Sequence, residues 1–301
     1  MTELSALQED PRLIRVFLES PLLEERKRAK LPSLRFDALL VDFEDSVPPH
    51  RKREVREVAR QILSAPAEER LHGMLIPRVN PIGSGFFEED IAALADLDIT
   101  HIAYPMLQDV EELDAALEKM SAIGIQPKIF ASIETARGVQ NVDAIAAHPS
   151  VCALLFGPSD LGLDMGIPLA AAKDITGPAL YYQRARVITA AAANEIAAIS
   201  MAFPARLKDL EQVREHVIHG RNLGLTGMMA FYPPHLEIID DAFTPSTGQV
   251  EKARESVEVY ESAAAQGRAQ AYLADGELVL AFDYEQSKEV LRKHGLFERG
   301  N

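Results

Sequence analysis

Eight short apolar runs, each followed by a charged stretch of helical period, constrain the fold of this chain more than any other feature. The runs have the length of β-strands and are continuous rather than alternating, which is typical of parallel strands buried on both faces. They cover residues 13–18, 38–43, 74–79, 99–104, 128–133, 151–156, 196–201 and 225–230. Eight strand-then-helix units within about 240 residues predict a (β/α)8 barrel, the TIM barrel of the α/β class.

One alternative fold and one alternative element follow from the same pattern. A doubly wound sheet would have a glycine-rich phosphate loop after its first strand, and the sequence contains neither GxGxxG nor GxxxxGK[ST]. The alanine-rich segment at 190–200 could form a continuous helix instead of strand seven. We therefore predict a barrel over residues 1–240, with strand seven as its least distinct strand.

The pattern changes after residue 240. A YPP sequence at 232–234 interrupts the chain, and TPS at 244–246 precedes a charged segment that reads as a capped helix. A DG turn at 275–276 separates this helix from a second one near 284–294. The segment 241–301 is too short to bury a core of its own. We expect a C-terminal helical extension that packs on the barrel or on a neighbouring subunit.

The charge and cysteine content exclude several classes of function. Thirty-one Lys and Arg against 46 Asp and Glu give a net charge of -15, which argues against binding to nucleic acid or to an anionic membrane. The single cysteine, Cys152, excludes an internal disulfide and a cysteine-rich metal site. The N-terminal segment has no apolar signal region, and no apolar run reaches the roughly 18 residues of a membrane span. We expect a cytoplasmic protein.

Charged residues follow several of the predicted strands, where a barrel of this kind has its active site. Glu44 and Asp45 follow strand two, Arg78 ends strand three, Glu134 follows strand five and Asp160 follows strand six. Close carboxylates in a partly desolvated site need a cation or raised pKa values. Because no cysteine pair or HExxH motif favours zinc, we predict Mg²⁺, replaceable by Mn²⁺, with Glu134 and Asp160 as ligands.

Each of these residues also has a structural alternative. An acid after a strand is often a helix cap, and an arginine such as Arg78 often ties loops together by a salt bridge. Asp42 lies inside strand two and reads as a paired core acid. In the functional interpretation, the planar guanidinium of Arg78 binds a carboxylate or an oxo group. Gly157 would allow close approach of the backbone to a ligand.

Several motifs in this chain resemble, in the same order, the HpcH/HpaI aldolase and citrate lyase beta-subunit family. The resemblance extends over nearly the whole chain and rests on a combination of motifs, because any one alone is weak. The motifs are LVDFEDSV at 40–47, RVN at 78–80, IETARG at 133–138, GPSDL at 157–161, YPPHL at 232–236, AFTPS at 242–246 and DGELV at 275–279.

The resemblance implies a TIM-like barrel, usually trimeric or hexameric, that makes or breaks carbon–carbon bonds next to 2-oxo acids, often on thioester substrates. It implies Mg²⁺ held by Glu134 and Asp160, with Glu44 and Asp45 around the metal-bound waters. The arginine that matches Arg78 would bind the oxo acid.

Further substrate contacts are expected from Gly157, Pro158, Ser159 and one N-terminal arginine. Where the lyase branch commonly begins R-S-x-L-F-V-P, this chain has IRVFLESP at 14–21, which leaves Arg12 or Arg15 as that arginine. We assign Arg15.

Three other positions depart from the family pattern. The usual L-P-K after strand four is YPM at 104–106, which loses a lysine, and the usual I-H-P is FYP at 231–233. The usual V-D-x-P, whose aspartate is an acid/base in related lyases, is VLAF at 279–282. The sequence does not decide whether Asp283 takes that role. The metal half of the expected site is intact and the proton-transfer half is altered.

Three hypotheses for function follow. The leading one is a Mg²⁺-dependent lyase that cleaves a 3-hydroxyacyl thioester of coenzyme A or an acyl carrier into an acetyl-type thioester and a 2-oxo acid such as oxaloacetate or glyoxylate. The second is a class II pyruvate-type aldolase acting on a free hydroxy-oxo acid. The third is a catalytically impaired barrel that binds an oxo acid or serves as a subunit of a larger complex. We expect a homo-trimer or homo-hexamer.

Overall fold

The computed structural model describes residues 3–66, 69–204 and 206–298. The chain divides into two compact units. Among the described residues, one unit comprises Leu7–Asp240 and the other comprises 3–6 together with 241–298. No helix in the described residues is long and apolar enough to cross a membrane.

The larger unit is a closed barrel of eight parallel strands in sequential order, which confirms the predicted fold. The strands are β1 Val16–Glu19, β2 Ala38–Asp42, β3 Met74–Arg78, β4 His101–Tyr104, β5 Lys128–Ile133, β6 Val151–Phe156, β7 Ala197–Met201 and β8 Gly227–Ala230. Their side chains are almost all buried, as continuous apolar runs require when helices cover a parallel sheet.

Helices separate the strands, and further helices begin and end the chain. They are α1 Glu3–Glu9, α2 Glu25–Arg28, α3 Lys52–Leu63, α4 Phe87–Ala92, α5 Val110–Ala122, α6 Ala136–Ala146, α7 Pro158–Asp164, α8 Leu169–Lys173, α9 Tyr181–Ala193, α10 Leu210–Leu223, α11 Pro234–Phe243, α12 Thr247–Ala265 and α13 Ala281–Glu298. The chain leaves helical conformation after Ala193, so the prediction of strand seven is confirmed and the continuous helix is wrong.

The first strand lies later in the chain than predicted. Residues Pro11–Leu13 form a 3-10 turn, because the Asp10 side chain accepts the backbone N–H of Arg12 and Pro11 pre-sets the first turn. The strand therefore begins at Val16 and ends at Glu19, instead of covering 13–18. This shift decides which β1 residue reaches the carboxyl end of the barrel.

The inside of the barrel is packed with side chains. The rings of Phe17 on β1 and Phe130 on β5 meet edge to face with centroids 6.0 Å apart, which joins opposite walls of the barrel. The ring of His101 packs against Phe130 in the same manner. The space open to a ligand therefore lies at the carboxyl ends of the strands rather than along the barrel axis.

The smaller unit contains two long helices and a short hairpin. Ser246 and Gln249 form a capping box at the start of α12, and strands Ala271–Tyr272 and Leu278–Val279 pair around the predicted turn. Gly276 has a φ of 91° in that turn, a left-handed conformation that favours glycine. Asp283 accepts the backbone N–H of Leu280 at 2.9 Å, so within this unit its carboxylate caps the start of α13.

Gly227 should be essential for closing the barrel between β8 and β1. A Cβ atom at this position would overlap the carbonyl oxygen of Ile14 and crowd that of Arg15. The Arg15 carbonyl oxygen accepts a hydrogen bond from the backbone N–H of Met228 on β8. We expect Gly227→Ala to lower the free energy of unfolding by about 1–3 kcal/mol, the usual cost of overpacking. Denaturant unfolding measures it.

The matched control is Gly248→Ala, because a Cβ there meets no atom within 4 Å. Gly248 lies inside α12, where alanine suits a helix better than glycine. Equal unfolding midpoints for Gly227→Ala and the wild type would contradict the packing described for this strand pair.

Candidate active site

A cavity of about 260 Å³ lies at the carboxyl ends of the barrel strands. One group of lining residues is charged and comprises Glu19, Asp45, Arg78, Glu134 and Asp160. The other lining residues are small or apolar, and these are Ser46, Gly157, Ser159, Met201, Phe203 and Phe231. The structure thus brings Asp45, Arg78, Glu134 and Asp160 together, as the positions of these residues at strand ends predict.

Glu134 follows β5 and is 4% exposed. One of its carboxylate oxygens accepts the backbone N–H of Met106 at 3.0 Å. Burial raises the pKa of Glu134 to about 8, although the nearby Arg78 acts in the opposite direction. The carboxylate therefore favours a proton at neutral pH unless a cation binds beside it.

Asp160 lies in the first turn of α7, which begins directly behind β6. Its pKa is raised, first by burial and then by the charge of Asp45. Asp45 is exposed at the rim and lines the same cavity. Two acids with raised pKa values around one cavity form a site that a divalent cation would stabilise.

The turn between β6 and α7 fits tightly against Glu134. A Cβ atom on Gly157 would overlap the Glu134 carboxyl group, so a larger residue cannot stand here without moving that side chain. Pro158 occupies the first position of α7 and is buried beside the cavity without lining it. The Ser159 hydroxyl has no hydrogen-bond partner among the described residues and lines the cavity, which leaves it free to bind a ligand.

Arg78 is the positively charged centre of the site. Its Nε donates to Asp42 Oδ1 at 2.7 Å, and its Nη2 donates to Glu19 Oε1 at 3.2 Å. Its Nε also lies 3.7 Å from Glu44 Oε2. The pKa of Asp42 is lowered by Arg78 despite complete burial, so the expectation of a paired core acid is confirmed. Removing one partner of such a buried pair typically costs roughly 3–5 kcal/mol.

Asp42 and α3 hold the loop after β2 in place through hydrogen bonds. Asp42 accepts the backbone N–H groups of Glu44 and Ser46 at 2.9 Å, and the Ser46 hydroxyl at 2.6 Å. The Lys52 ammonium donates hydrogen bonds to the carbonyl oxygens of Phe43 and Glu44 at 2.7 and 2.8 Å. These contacts fix the backbone that presents Glu44 and Asp45 to the site.

Glu44 lies beside the cavity rather than in its lining. Its side chain is 15% exposed, and burial raises its pKa to about 7 against the effect of Arg78. The structure therefore places Glu44 within reach of Arg78 and places Asp45 nearer the open side. Their proposed catalytic roles remain predictions.

The structure does not bring Arg15 to the site, so the placement of this residue at the mouth of the barrel is wrong. Arg15 precedes the first residue of β1 and therefore lies at the amino end of the barrel, opposite the cavity. Its guanidinium pairs with Asp37 at 2.9 Å and with Asp240 at 2.8 Å. The residue that β1 does contribute is Glu19, at its other end.

Sequence reasoning missed Glu19 and the apolar wall of the cavity. Phe203 and Phe231 stack with centroids 4.6 Å apart and an interplanar angle of 18°. The ammonium of Lys173 lies 4.3 Å from the centre of the Phe203 ring. Both phenylalanines follow strands in the same position as the predicted acids, and that position was the available signal. Lys173 gave no signal, because it lies at the end of α8.

Met106 follows β4 and contacts the site through its backbone. Met106 has a φ of 49°, which is uncommon for a residue other than glycine. This conformation accompanies the hydrogen bond from its backbone N–H to Glu134. A peptide group therefore contacts the predicted metal ligand at this position, while the Met106 side chain is 38% exposed.

The donor set fits Mg²⁺ as a two-carboxylate site. In the described part of the chain, no three His, Cys, Asp or Glu side chains form a ready metal cage. Mg²⁺ is usually held by one or two carboxylates, with water and substrate oxygens completing its shell. Glu134 and Asp160 would hold the ion here, and the tight fit of Gly157 against Glu134 fixes one of the two ligands.

We expect Gly157→Ala to weaken Mg²⁺ binding without removing any ligand, because the added methyl group displaces the Glu134 carboxyl group. The reduction should approach that of Glu134→Gln, and isothermal titration with Mg²⁺ and pyruvate measures both. Gly248→Ala is a control for the added methyl group, since its Cβ meets no atom within 4 Å and its backbone is helical. Unchanged affinity in Gly157→Ala would contradict the contact.

The metal-free protein should lose stability as the pH rises from about 6.5 to about 8.5. The folded-state pKa values of Glu19, Glu44 and Glu134 are about 7, 7 and 8, above the ordinary value of 4.5. Groups with raised pKa values stabilise the fold when protonated, fully below about pH 4.5, and that stabilisation disappears as pH passes 7 to 8.

Denaturant midpoints in EDTA across this range measure the loss. Glu134→Gln should reduce the slope, and saturating Mg²⁺ should do the same by favouring the ionised carboxylates. The buried His101, His216 and His235 and the buried Asp42 have lowered pKa values and act in the opposite direction, but only below their ordinary values, which are 6.5 for the histidines and 3.8 for Asp42. A metal-free stability that increases between pH 6.5 and 8.5 would contradict the described burial of these acids.

Comparisons with known proteins agree with this geometry. The chain is 27% identical over 285 residues to a (3S)-malyl-CoA thioesterase of Cereibacter sphaeroides, covering 93% of this chain and 94% of the relative. It is 26% identical to an L-malyl-CoA/beta-methylmalyl-CoA lyase of Rhodobacter capsulatus, covering 88% and 89%.

A solved structure shows the same fold. The CitE protein of Mycobacterium tuberculosis, in complex with magnesium, acetoacetate and coenzyme A, superposes with a TM-score of 0.74 at 21% identity, over 94% of this chain and 99% of that one. The family profile described as HpcH/HpaI aldolase/citrate lyase matches residues 16–233. The chain therefore belongs to the HpcH/HpaI aldolase/citrate lyase family, which confirms both the family and the lyase class predicted from the sequence.

Proposed function

We propose that this protein is a Mg²⁺-dependent carbon–carbon lyase. It would cleave a 3-hydroxyacyl thioester of the malyl, citramalyl or citryl type into an acetyl-type thioester and a 2-oxo acid. The observation that supports this most is the presence of Glu134, Asp160 and Arg78 around a single cavity of about 260 Å³, a volume suited to a small acid. The comparison proteins named after malyl-CoA, and the magnesium, acetoacetate and coenzyme A in the solved structure, are consistent with it.

Glu134 and Asp160 would hold the metal, with Mn²⁺ able to replace Mg²⁺. A bound Mg²⁺ supplies Lewis-acid stabilisation to the oxygen that changes from hydroxyl to carbonyl. Arg78 would orient the oxo-acid half through Nη1, which has no hydrogen-bond partner among the described residues. The Ser159 hydroxyl would contact the same half of the substrate.

The reaction requires two proton transfers. A base removes the hydroxyl proton, the carbon–carbon bond breaks, and its electron pair passes to the thioester as an enolate. An acid then protonates the enolate carbon to give the acetyl-type thioester. We assign these transfers to the acids of the β2 loop, Glu44 and Asp45, which Asp42 and Lys52 hold in place.

Two other activities are outcomes of the same assays. The sequence GPSDLGLDMG at 157–166 resembles the shorter pyruvate aldolases, which favours an aldolase on a free hydroxy-oxo acid as the second candidate. One relative is named a thioesterase, so release of free coenzyme A without an oxo acid is a further result to distinguish.

We also propose that the protein is cytoplasmic and that it forms a homo-trimer or homo-hexamer, as the resemblance to the family implies. Light scattering on the full chain gives the subunit number.

The function is tested by a panel of malyl-, citramalyl- and citryl-CoA assayed with Mg²⁺ and again with EDTA, with the oxo acid and the thioester product both identified. We expect cleavage of at least one substrate that EDTA abolishes. Glu134→Gln should lower kcat/KM by more than the roughly 10–100-fold that loss of an outer-shell partner of a metal ligand costs.

Glu57→Gln is the matched control, because this glutamate is 63% exposed and pairs with Arg53 on the surface of α3. It should retain full activity. Metal-dependent binding of oxo acids with no cleavage of any thioester or free hydroxy-oxo acid would contradict the lyase and favour an impaired barrel.

A further inference from the structure

Glu19 is a charged residue of the cavity to which the proposed reaction gives no role. It is the last residue of β1, and its side chain is 11% exposed. Its carboxylate lines the cavity and accepts a hydrogen bond from Arg78. Burial of this carboxylate costs desolvation free energy, and for the same reason burial raises the pKa of Glu19 to about 7. Its position on Arg78 suggests that it controls what that arginine can bind.

Two of the five N–H donors of Arg78 already bond to acids of the protein. Nε is bonded to Asp42 and Nη2 to Glu19, so the side of the guanidinium formed by these two nitrogens is occupied. Two parallel N–H donors from that side would otherwise bind a carboxylate bidentately. Nη1 is the nitrogen that has no partner in the described part of the chain. A ligand can therefore use the end-on pair formed by Nη1 and the second N–H of Nη2, which has room for one carboxylate.

The charge around the cavity leads to the same restriction. Among the described residues that line the cavity, Arg78 is the sole cation, and it already faces Asp42 and Glu19. A divalent cation would offset Glu134 and Asp160. One ligand carboxylate can then bind at the metal and at Nη1. A second carboxylate would find no unpaired cation in the lining and would meet Glu19 at close range, which is unfavourable in a partly desolvated site.

The remaining wall suits an apolar group. Met201, Phe203 and Phe231 line the side of the cavity beyond the acids, and the two phenylalanine rings stack on each other. A hydrogen atom or a methyl group on the oxo acid would lie against this wall without losing hydration of a charge. A carboxymethyl group would lose hydration there without an unpaired cation among the described lining residues, because Lys173 contacts the Phe203 ring but does not line the cavity.

We propose that Glu19 is a specificity-determining residue that restricts the pocket to 2-oxo acids with one carboxylate and a small apolar substituent, and excludes oxo dicarboxylates. This inference rests on the proposed function and narrows it. The thioester substrate is then of the malyl or citramalyl type rather than the citryl type.

The test is isothermal titration of the full-length protein at pH 8.5, where Glu19 is ionised because its pKa is about 7, with pyruvate and with freshly prepared oxaloacetate, each in saturating Mg²⁺. We expect the wild type to bind pyruvate at least tenfold more tightly than oxaloacetate. Glu19→Gln should reduce that ratio at least fivefold, mainly by tightening oxaloacetate, because the amide has no charge. Glu19→Asp keeps the charge and should retain the preference.

Glu57→Gln again serves as the control and should leave both affinities unchanged. The wild-type ratio tests the proposal even if a Glu19 variant does not fold. Equal or tighter binding of oxaloacetate by the wild type would overturn the proposal, and so would an unchanged ratio in a folded Glu19→Gln protein.

The failure of this inference can be separated from failure of the proposed lyase. Thioester cleavage together with tight oxaloacetate binding overturns the role of Glu19 and leaves the lyase standing. The expected preference for pyruvate without cleavage of any thioester supports the role of Glu19 in binding and overturns the lyase. Absence of binding by both acids overturns both.

Discussion

The ion pair between Arg78 and Asp42 is the interaction on which the rest of the site depends. Both groups are buried, and Nε of the arginine lies 2.7 Å from the carboxylate. Asp42 also accepts two backbone N–H groups and a hydroxyl from the loop that follows it. One carboxylate therefore fixes the direction of the guanidinium and the path of the loop that presents Glu44 and Asp45. A change in either partner would alter charge and geometry together.

A second constraint is the crowding of Glu134. Its carboxyl group lies between the backbone N–H of Met106 and the backbone of Gly157, which leaves it little freedom to change conformation. Such a preorganised acid is unfavourable when ionised alone, and this is why its pKa is raised. The same placement makes it a good ligand for a cation, because little conformational entropy remains to be lost on binding. The burial and crowding of Glu134 therefore both raise its pKa and favour the binding of a cation.

The barrel and the principal acids could be predicted from the sequence because both depend on strand order. Apolar runs of strand length identify the strands, and the closed parallel topology brings the residues behind them to one face. Glu134 and Asp160 could be located in this way. The sequence indicated that Asp42 is a paired core acid but not that Arg78 is its partner, because the choice of partner depends on the register between β2 and β3.

The errors in the sequence-based prediction are local and have physical reasons. Asp10 and Pro11 form a turn that shifts β1 to a later start than the apolar pattern predicts. Because of this shift, Arg15 lies at the amino end of the barrel and Glu19 lies at the carboxyl end, where the sequence did not predict it. Phe203 and Phe231 lie behind strands like the acids, but apolar residues there give no chemical signal. The resulting pocket differs from a general oxo-acid site, because one of its carboxylates faces the arginine that would bind the substrate.

The central claim is that a divalent cation binds between Glu134 and Asp160 and that a small 2-oxo acid binds beside it. The most direct measurement is a crystal structure of the full chain with Mn²⁺ and pyruvate, using the anomalous scattering of manganese to locate the ion. The account predicts an anomalous peak within about 2.3 Å of oxygen atoms of both carboxylates, close to the distance for a hard divalent cation, with the pyruvate near Arg78 Nη1. A peak elsewhere, or pyruvate bound away from Arg78, would contradict it.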